Sequence, residues 1–232
     1  MTAGAAYHGE RGTFFADRAT ESIYNAYTDR PAMLELAGDL TGLRVLDVGC
    51  GAGHYAADLL ARGAAGVVGL EGSESLLTAA RERLGDSAEL HQHDLEEPLT
   101  FLDDESFDVV VMALVYHHID AREQLLAELR RVLRPGGRLL ISTTHPAADW
   151  SWFGGSYFAE ERVEAKWSGG PFTHSYWRMT LETFLAEVLG AGFALDRLVE
   201  PRATEAARQL DPHRYDKTHT TPFFLTVRLT RP

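Results

Sequence analysis

Several features of secreted and membrane proteins are missing from this chain of 232 residues. It has one cysteine, Cys50, so no disulfide can form within the chain. No apolar run reaches the ~20 residues that a helix needs to cross a bilayer. Residues 1–12 also carry no apolar core of a signal peptide. These absences predict a cytoplasmic protein without a membrane partner.

Basic residues are scarce as well. Lysine and arginine together number 22 against 34 aspartates and glutamates, which gives a net charge of −12. Because an acidic surface repels phosphate backbones, we do not expect a nucleic acid as partner or substrate. The fractions of charged residues (24%) and hydrophobic residues (45%) are those of an ordinary globular protein with a sizeable core.

Apolar strand and helix patterns alternate from residue 43 onward. The sequence predicts five strands, at 45–48, 66–70, 89–93, 107–112 and 138–143. Helical patterns lie between most of them, at 55–62, 73–84 and 121–133. Such alternation predicts a parallel sheet with helices on both faces, and ligands bind such sheets at the carboxyl ends of the strands.

The remaining segments depart from this alternation. Segments 193–199 and 223–229 read as strands that pair antiparallel at the sheet edge, because residues 201–221 show no good crossover helix. Residues 1–30 read as an N-terminal cap segment, and 31–232 as a single domain. Within that domain, 145–178 is an aromatic-rich insert that carries all four tryptophans. A long aromatic segment of this kind is typically functional, so we expect it to cover a substrate.

A glycine-rich turn follows the first strand, in the stretch LRVLDVGCGAGH that begins at residue 43. Gly49, Gly51 and Gly53 alternate with other residues and are preceded by Asp47. Such a turn lets the backbone approach a ligand, and it directs helix N-terminal amides toward that ligand. A dinucleotide-binding turn needs G-x-G-x-x-G, whereas here His54 directly follows the third glycine. A nicotinamide cofactor is therefore disfavoured.

Acidic residues follow the next two strands. Glu71 ends the second strand about 20 residues beyond the glycine turn, where a carboxylate can accept hydrogen bonds from ribose hydroxyls. Gly72 beside it lets a sugar lie against the backbone. After the third strand, Asp94 can accept from an adenine amino group, and Leu95 offers apolar surface. Asp94 is alternatively a plain turn or capping residue.

These pieces, in this order, resemble the class I S-adenosylmethionine (SAM)-dependent methyltransferases over residues ~20–145. VLDVGCGAG is similar to motif I of that family, VVGLEGS to its ribose-binding loop and HQHDL to its adenine-contacting acid. SFDVVVMALVYHHI and LRPGGRLLIST resemble the segments around its fourth and fifth strands. Within that family the sequence looks like small bacterial methyltransferases that are distantly akin to those of ubiquinone and menaquinone biosynthesis. Those enzymes lack the tryptophan-rich insert, so their quinone substrates are not carried over.

The resemblance implies an α/β fold that is Rossmann-like and doubly wound. Its seven-stranded sheet would be mostly parallel with an antiparallel C-terminal edge strand, and the aromatic insert would follow strand five. SAM would be the cofactor and S-adenosylhomocysteine (SAH) the product. The implied cofactor-binding residues are Asp47, Gly49, Cys50, Gly51, Gly53, Glu71, Gly72, Asp94, Leu95, Ala113 and Tyr27.

Histidines follow the fourth and fifth strands and are candidate catalytic bases. His117 is the first candidate and His145 the second, if the methyl acceptor needs its proton removed. Otherwise His117 and His118 start a helix and bond to backbone, and His145 is a buried structural histidine. We expect no metal site, because adjacent side chains such as His117 and His118 diverge.

The function implied is transfer of a methyl group to an oxygen or nitrogen, with carbon as a further option, of a small aromatic or apolar molecule. The sequence lacks an Asn-Pro-Pro-Tyr or Asp-Pro-Pro-Tyr motif, which weakens methylation of nucleic acid or of protein amide nitrogen. A non-catalytic SAM-binding module and a nicotinamide-dependent oxidoreductase remain as alternatives, and the sequence indicates no oligomeric state. Candidate acceptor-binding residues, each of which could instead be core packing, are Tyr116, Trp150, Trp152, Tyr157, Trp167 and Tyr176.

Overall fold

The computed structural model describes residues 7–166 and 171–232 of the chain. Its main sheet has seven strands: β1 Arg44–Val48, β2 Gly66–Glu71, β3 Glu89–Gln92, β4 Phe107–Ala113, β5 Leu133–Thr144, β8 Ala194–Val199 and β9 Phe224–Thr230. Their order across the sheet is β3-β2-β1-β4-β5-β9-β8. Strands β1 to β5 are parallel, so their carboxyl ends share one edge.

Helices cover both faces of this sheet, as the alternating sequence pattern predicts. On one face lie α2 Arg30–Ala37, α3 His54–Ala61 and α4 Glu74–Leu84, and on the other lie α5 Arg122–Val132 and α7 Leu181–Gly190. Successive strand residues point to opposite faces. Val45 therefore packs in the core with α2 and α3, whereas Leu46 packs in the core with α5 and α7.

The C-terminal strand β9 is antiparallel, as predicted, and it pairs with both β5 and β8. It lies between those strands, so β8 forms the edge of the sheet. Burial explains this order. Most of β9 is buried, which requires a neighbour on each side, whereas β8 is exposed along almost its whole length.

Residues 201–221 contain two short helices that the sequence pattern did not indicate, α8 Glu205–Leu210 and α9 Pro212–Thr220. They do not form a crossover, because the strands they connect are antiparallel neighbours. The carboxylate of Asp211 caps α9 by accepting from the Arg214 N–H at 2.9 Å. Ala207 packs against Ile23, so this helix pair supports the N-terminal segment.

The N-terminal segment is mostly helical. Helix α1 Glu10–Ala19 packs on α4 so closely that a Cβ added to Gly12 would lie 2.3 Å from Ser75 Oγ. A π-helical turn, Asn25–Asp29, then runs directly into α2. The boundary expected at residue 30 thus falls within continuous helical backbone, and the division into a cap and one domain stays a prediction.

The aromatic insert after β5 has regular structure of its own. Helix α6 Pro146–Phe153 begins directly after the strand, and β6 Glu161–Lys166 pairs antiparallel with β7 Thr173–Arg178. This hairpin lies over the loop after β4, because the backbone carbonyl of Ser175 accepts from His118 Nδ1 at 3.3 Å. The insert therefore lies at the carboxyl edge of the sheet. In the described part of the chain, no helix is both long and apolar enough to span a bilayer.

Candidate functional site

A cavity of about 410 Å³ lies at the carboxyl edge of the sheet. Its floor comes from the loops after β1, β2, β3 and β4, and its remaining walls come from the N-terminal segment, the aromatic insert and the start of β9. The volume is within the range of small-molecule sites. This is the position at which the parallel strand pattern predicts a ligand.

The three glycines of the turn after β1 have different roles. Gly51 lines the cavity with φ +56°, and a Cβ added there would meet no atom within 4 Å. A Cβ on Gly49 would instead lie 2.4 Å from Val115 Cγ2, and one on Gly53 would lie 2.9 Å from Leu84 Cδ1. Gly49 and Gly53 therefore permit close packing within the protein. Gly51 is the one whose missing side chain leaves room for a ligand.

Asp47 and Cys50 support this turn from inside the protein. Asp47 is buried and does not line the cavity. Burial, and then the charge of Glu71, raise the pKa of Asp47 to about 7, whereas the backbone N–H of Ala56 at the start of α3 acts to lower its pKa. Cys50 lines the cavity, and burial raises the pKa of its thiol, so we expect the thiol to be unreactive.

Glu71 joins the end of β2 to the glycine turn. Its Oε2 accepts from the Gly51 N–H at 2.9 Å, and its Oε1 accepts from the Ser73 N–H at 2.8 Å. Burial raises the pKa of Glu71, while these two N–H groups oppose the shift by favouring the charged form. Each oxygen keeps a further lone pair, so the carboxylate can hold the turn and still accept from a ligand hydroxyl. Gly72 also lines the cavity, but a Cβ there would make only an ordinary contact of 3.5 Å with His93 O.

Three further predicted cofactor residues line the same cavity: Asp94, Leu95 and Ala113. Asp94 belongs to a turn in which its Oδ1 accepts from the Glu96 N–H at 3.1 Å. Leu95 is nearly buried beside it, and Ala113 ends β4. The structure therefore brings together the carboxyl ends of the four strands β1 to β4, which the sequence motifs singled out.

Asp29 is a cavity residue that the sequence analysis missed. Its Oδ2 accepts from the Tyr55 hydroxyl at 2.5 Å. Its Oδ1 is buried without a hydrogen-bond partner among the described residues, and burial raises the pKa of the carboxyl group to about 6. Arg30 also lines the cavity. A carboxylate beside a guanidinium suits a ligand that has both an ammonium and a carboxylate group.

His117 and His118 are both buried, and both ring nitrogens of His118 have hydrogen-bond partners whereas only one nitrogen of His117 does among the described residues. His118 Nδ1 donates to Ser175 O, so its Nε2 is left to accept from the Tyr7 hydroxyl at 3.2 Å. His117 Nδ1 lies 3.0 Å from the Thr143 hydroxyl, and no partner for its Nε2 occurs within 7–166 and 171–232. Burial lowers the pKa of His118 to about 3 and the pKa of His117 well below its usual value. Both rings are therefore neutral at physiological pH.

Asp149 is a second acidic cavity residue that sequence reasoning missed. Its Oδ1 accepts from the Tyr176 hydroxyl at 2.8 Å and its Oδ2 from the Thr144 hydroxyl at 2.9 Å. Burial raises the pKa of Asp149 to about 6. Tyr176 and Asp149 both line the cavity beside His117. The carboxylate, phenol and imidazole thus form one polar cluster on an otherwise apolar wall.

Comparison with known proteins agrees with this arrangement. A family model described as a methyltransferase domain matches residues 46–141, the segment that supplies the cavity floor. The demethylmenaquinone methyltransferase of Lactococcus lactis is 38% identical over 122 residues, which is 50% of this chain and 48% of that protein. The mitochondrial ubiquinone biosynthesis O-methyltransferase of Dictyostelium discoideum is 31% identical over 45% of this chain and 36% of that protein. Residues 46–141 thus match a methyltransferase-domain family, and the chain is similar to class I SAM-dependent methyltransferases.

A solved structure also matches most of this chain. A SAM-dependent methyltransferase from Mesorhizobium loti matches it with a TM-score of 0.76 and 24% identity, over 92% of this chain and 100% of that one. At that identity the likeness shows the fold alone. The chain spans about half or less of the length of the two named relatives, so their substrates are not carried over.

The residues present fit SAM, the cofactor of this family. Gly51 leaves open space where the backbone meets the cavity, and Glu71 retains lone pairs for hydroxyl groups. The unpartnered Oδ1 of Asp29 can accept from the ammonium group of the methionine moiety. Together these residues would hold the two polar ends of the cofactor.

Several predicted site residues lie away from the cavity. Tyr27 packs with the cluster of Ile23 and Ala203. Tyr116 is in the core, where its hydroxyl donates to Glu187. His145 caps α6, since its Nδ1 accepts from the Ala147 N–H at 3.1 Å and its Nε2 therefore donates to Glu200. These three residues are not part of our proposal for ligand binding.

The tryptophans and tyrosines of the insert have mixed positions. Trp152 lines the cavity while 67% of its surface stays exposed. Trp150 donates to Gly155 O at 3.1 Å, and the Tyr157 hydroxyl accepts from the Leu181 N–H at 3.1 Å, both outside the cavity lining. Trp167 lies outside the described residues. Within the described ranges, no group of three histidine, cysteine or acidic side chains is arranged to hold a metal ion.

Proposed function

We propose that this methyltransferase transfers the methyl group of SAM to an oxygen or nitrogen of a small, largely apolar molecule. One observation carries the proposal. A single cavity joins the glycine turn and Glu71 at one end to His117, Tyr176 and Asp149 at the other. A cofactor end and a polar reacting end within one enclosure are what a two-substrate transfer requires.

The character of the cavity wall supports a small apolar acceptor. Aromatic side chains from three separate segments line it, including Phe14 from α1, Trp152 from α6 and Phe223 beside β9. Tyr24 contacts Phe223 with ring centroids 4.9 Å apart, so the N-terminal segment closes against the C-terminal strand. The volume of about 410 Å³ is that of a small-molecule site, which favours a compact acceptor.

SAM supplies a methyl group already activated by its sulfonium charge. The protein therefore has to hold, orient and shield the reacting groups. The carboxylates of Asp29 and Glu71 provide negative charge on the cofactor side. The apolar wall excludes water, and the polar cluster at Tyr176 and Asp149 provides a proton acceptor for the incoming nucleophile.

The proposal is tested by binding and turnover together. Calorimetric titration of the protein with SAM, SAH and NADH should give affinity in the micromolar range for the first two and none for NADH. SAH release is then followed over a panel of phenols, amines and thiols. Binding of NADH in place of SAM would favour an oxidoreductase, and SAM binding without turnover of any acceptor would favour a non-catalytic module.

A further inference from the structure

His117 and Tyr176 present two different hydrogen-bonding groups to the acceptor end of the cavity. Their ring centroids lie 5.3 Å apart in an edge-to-face arrangement, and both residues line the cavity. Each ring has one polar atom already bound to a buried neighbour. The identity of that neighbour decides whether the ring offers a proton or a lone pair to a ligand.

The neighbour of His117 is the buried hydroxyl of Thr143, 3.0 Å from Nδ1. Among the described residues, the Thr143 hydroxyl has no hydrogen-bond partner other than His117 Nδ1. A buried hydroxyl proton needs an acceptor, so Thr143 donates to Nδ1. The neutral imidazole then carries its own proton on Nε2. His117 therefore offers the cavity an N–H donor, which is the opposite of the general base that its sequence position suggests.

The neighbour of Tyr176 is the carboxylate of Asp149. The phenol donates its only proton to Asp149 Oδ1 at 2.8 Å, so a ligand can meet only the lone pairs of the phenol oxygen. Asp149 is 5% exposed and is held in place by Thr144 through its other oxygen. Tyr176 thus offers an acceptor that is backed by a carboxylate.

A donor beside an acceptor matches a hydroxyl group. Resting on the function proposed above, we propose that the methyl acceptor reacts through a hydroxyl, which His117 orients and which Tyr176 deprotonates by passing its own proton to Asp149. The acceptor oxygen forms its bond to the methyl carbon as the carbon–sulfur bond breaks and leaves its electron pair on sulfur. The hydroxyl proton moves to the Tyr176 oxygen, and the Tyr176 proton moves to Asp149.

The number of lone pairs distinguishes a hydroxyl group from an amine. A hydroxyl oxygen has two, so one can accept from the His117 N–H while the other attacks the methyl carbon. A neutral amine has a single lone pair, and the His117 donor would occupy it. A carbon nucleophile offers the Tyr176–Asp149 pair no comparable proton donor. The site chemistry therefore selects oxygen over nitrogen and carbon.

The charged surroundings of Asp149 allow it to take this proton. Tyr176 and Arg178 face it from β7, and Thr144 bonds to it from the end of β5. Burial raises the pKa of Asp149 to about 6, while Tyr176, Thr144 and Arg178 oppose that shift. The group is then mostly ionised at neutral pH and a stronger base than an ordinary carboxylate.

The tautomer of His117 can be tested without any ligand. Long-range ¹H–¹⁵N NMR spectra of the protein labelled in its histidines should show His117 neutral from pH 5 to 8 with the proton on Nε2. The variant Thr143→Val should lose this preference, because it removes the donor to Nδ1. A His117 proton on Nδ1 in the wild-type protein would overturn the inference.

Substrate selection is tested with phenol and aniline, which have nearly the same shape and are small enough for any aromatic acceptor site. The SAH complex should bind phenol at least about fivefold more tightly than aniline by calorimetry. Both Tyr176→Phe and Asp149→Asn should abolish this preference while changing SAH affinity less than twofold. The matched control Tyr157→Phe alters a tyrosine of the same insert outside the cavity and should keep the preference.

The outcomes separate this inference from the proposed function. Normal SAH binding with equal affinity for the two probes, or with no phenol binding at 20 mM, would contradict the choice of a hydroxyl. A preference for phenol that survives in both Tyr176→Phe and Asp149→Asn would remove these residues from the proposal. Failure to bind SAH at all would overturn the proposed function, and this inference with it.

Discussion

The replacement Gly51→Val isolates the contact on which cofactor binding depends. Gly51 has φ +56°, and the space beside its Cα is open to the cavity. A valine side chain would occupy that space and prevent a ligand from reaching the backbone. We expect SAM affinity to fall at least about 100-fold, which corresponds to ~2.7 kcal/mol of binding free energy.

Strain at a positive φ would accompany this steric effect, so a matched control is needed. Gly136 has φ +75° and also has no atom within 4 Å of an added Cβ, but it lies near the amino end of β5. Gly136→Val should carry a similar backbone cost, about 1–2 kcal/mol of the free energy of unfolding, with unchanged SAM affinity. Both variants are compared by urea unfolding and by calorimetric titration with SAM.

Two results would refute this reasoning. If folded Gly51→Val bound SAM within threefold of the wild-type protein, the ligand would not approach the chain at this turn. If Gly136→Val lost affinity equally, the effect would come from general destabilisation. Loss of affinity in Gly51→Val alone, with similar unfolding free energies for the two variants, is the expected pattern.

Three further predictions follow from packing and protonation. Gly49→Ala should lower the free energy of unfolding by about 1–3 kcal/mol in urea, because its Cβ would clash with Val115, and the second replacement Val115→Ala should restore part of the loss. Burial lowers the pKa of His118 to about 3 in the folded protein. Below pH ~6.5 the unfolded protein therefore takes up a proton on His118 that the folded protein does not, and the free energy of unfolding should fall as the pH falls. His118→Gln should reduce that slope by about 1 kcal/mol per pH unit, and an unchanged slope in urea unfolding at pH 5 to 7 would contradict the assignment. Turnover of a phenol substrate should be retained above the Asp149 pKa of about 6 and fall about tenfold per pH unit below it, whereas Asp149→Asn should show a low rate without that inflection.

The cofactor half of the site was predictable from sequence because its determinants are local. A buried strand followed by a glycine turn and a helix fixes Gly51 at the carboxyl edge, whatever the rest of the chain does. Glu71 reaches the same turn because β1 and β2 are adjacent and parallel, and the Gly51 N–H donates to it at 2.9 Å. The strand alternation predicted a parallel sheet, and the structure confirms the sheet and shows this adjacency.

The acceptor half was less predictable because long-range contacts determine it. Asp149 reaches Tyr176 only because the hairpin β6–β7 folds back over α6, and no periodic pattern signals that fold. Tyr116 and His117 are sequence neighbours on one tight turn, so their side chains diverge. Tyr116 enters the core against Phe184, with ring centroids 5.2 Å apart, while His117 lines the cavity. Sequence spacing alone does not show which neighbour faces the ligand.

The histidines illustrate why residue type alone does not assign chemistry. His117 and His145 follow adjacent strands and read alike as candidate bases. His145 starts a helix, so its Nδ1 accepts an N–H of that helix, and its Nε2 contacts Glu200 at 3.0 Å. In the tautomer that we infer, His117 Nδ1 accepts from the Thr143 hydroxyl and Nε2 carries the proton. In both cases the partner consumes the lone pair that a base would use. We therefore infer that the basic group at the acceptor end is the carboxylate of Asp149, because burial raises its pKa to about 6.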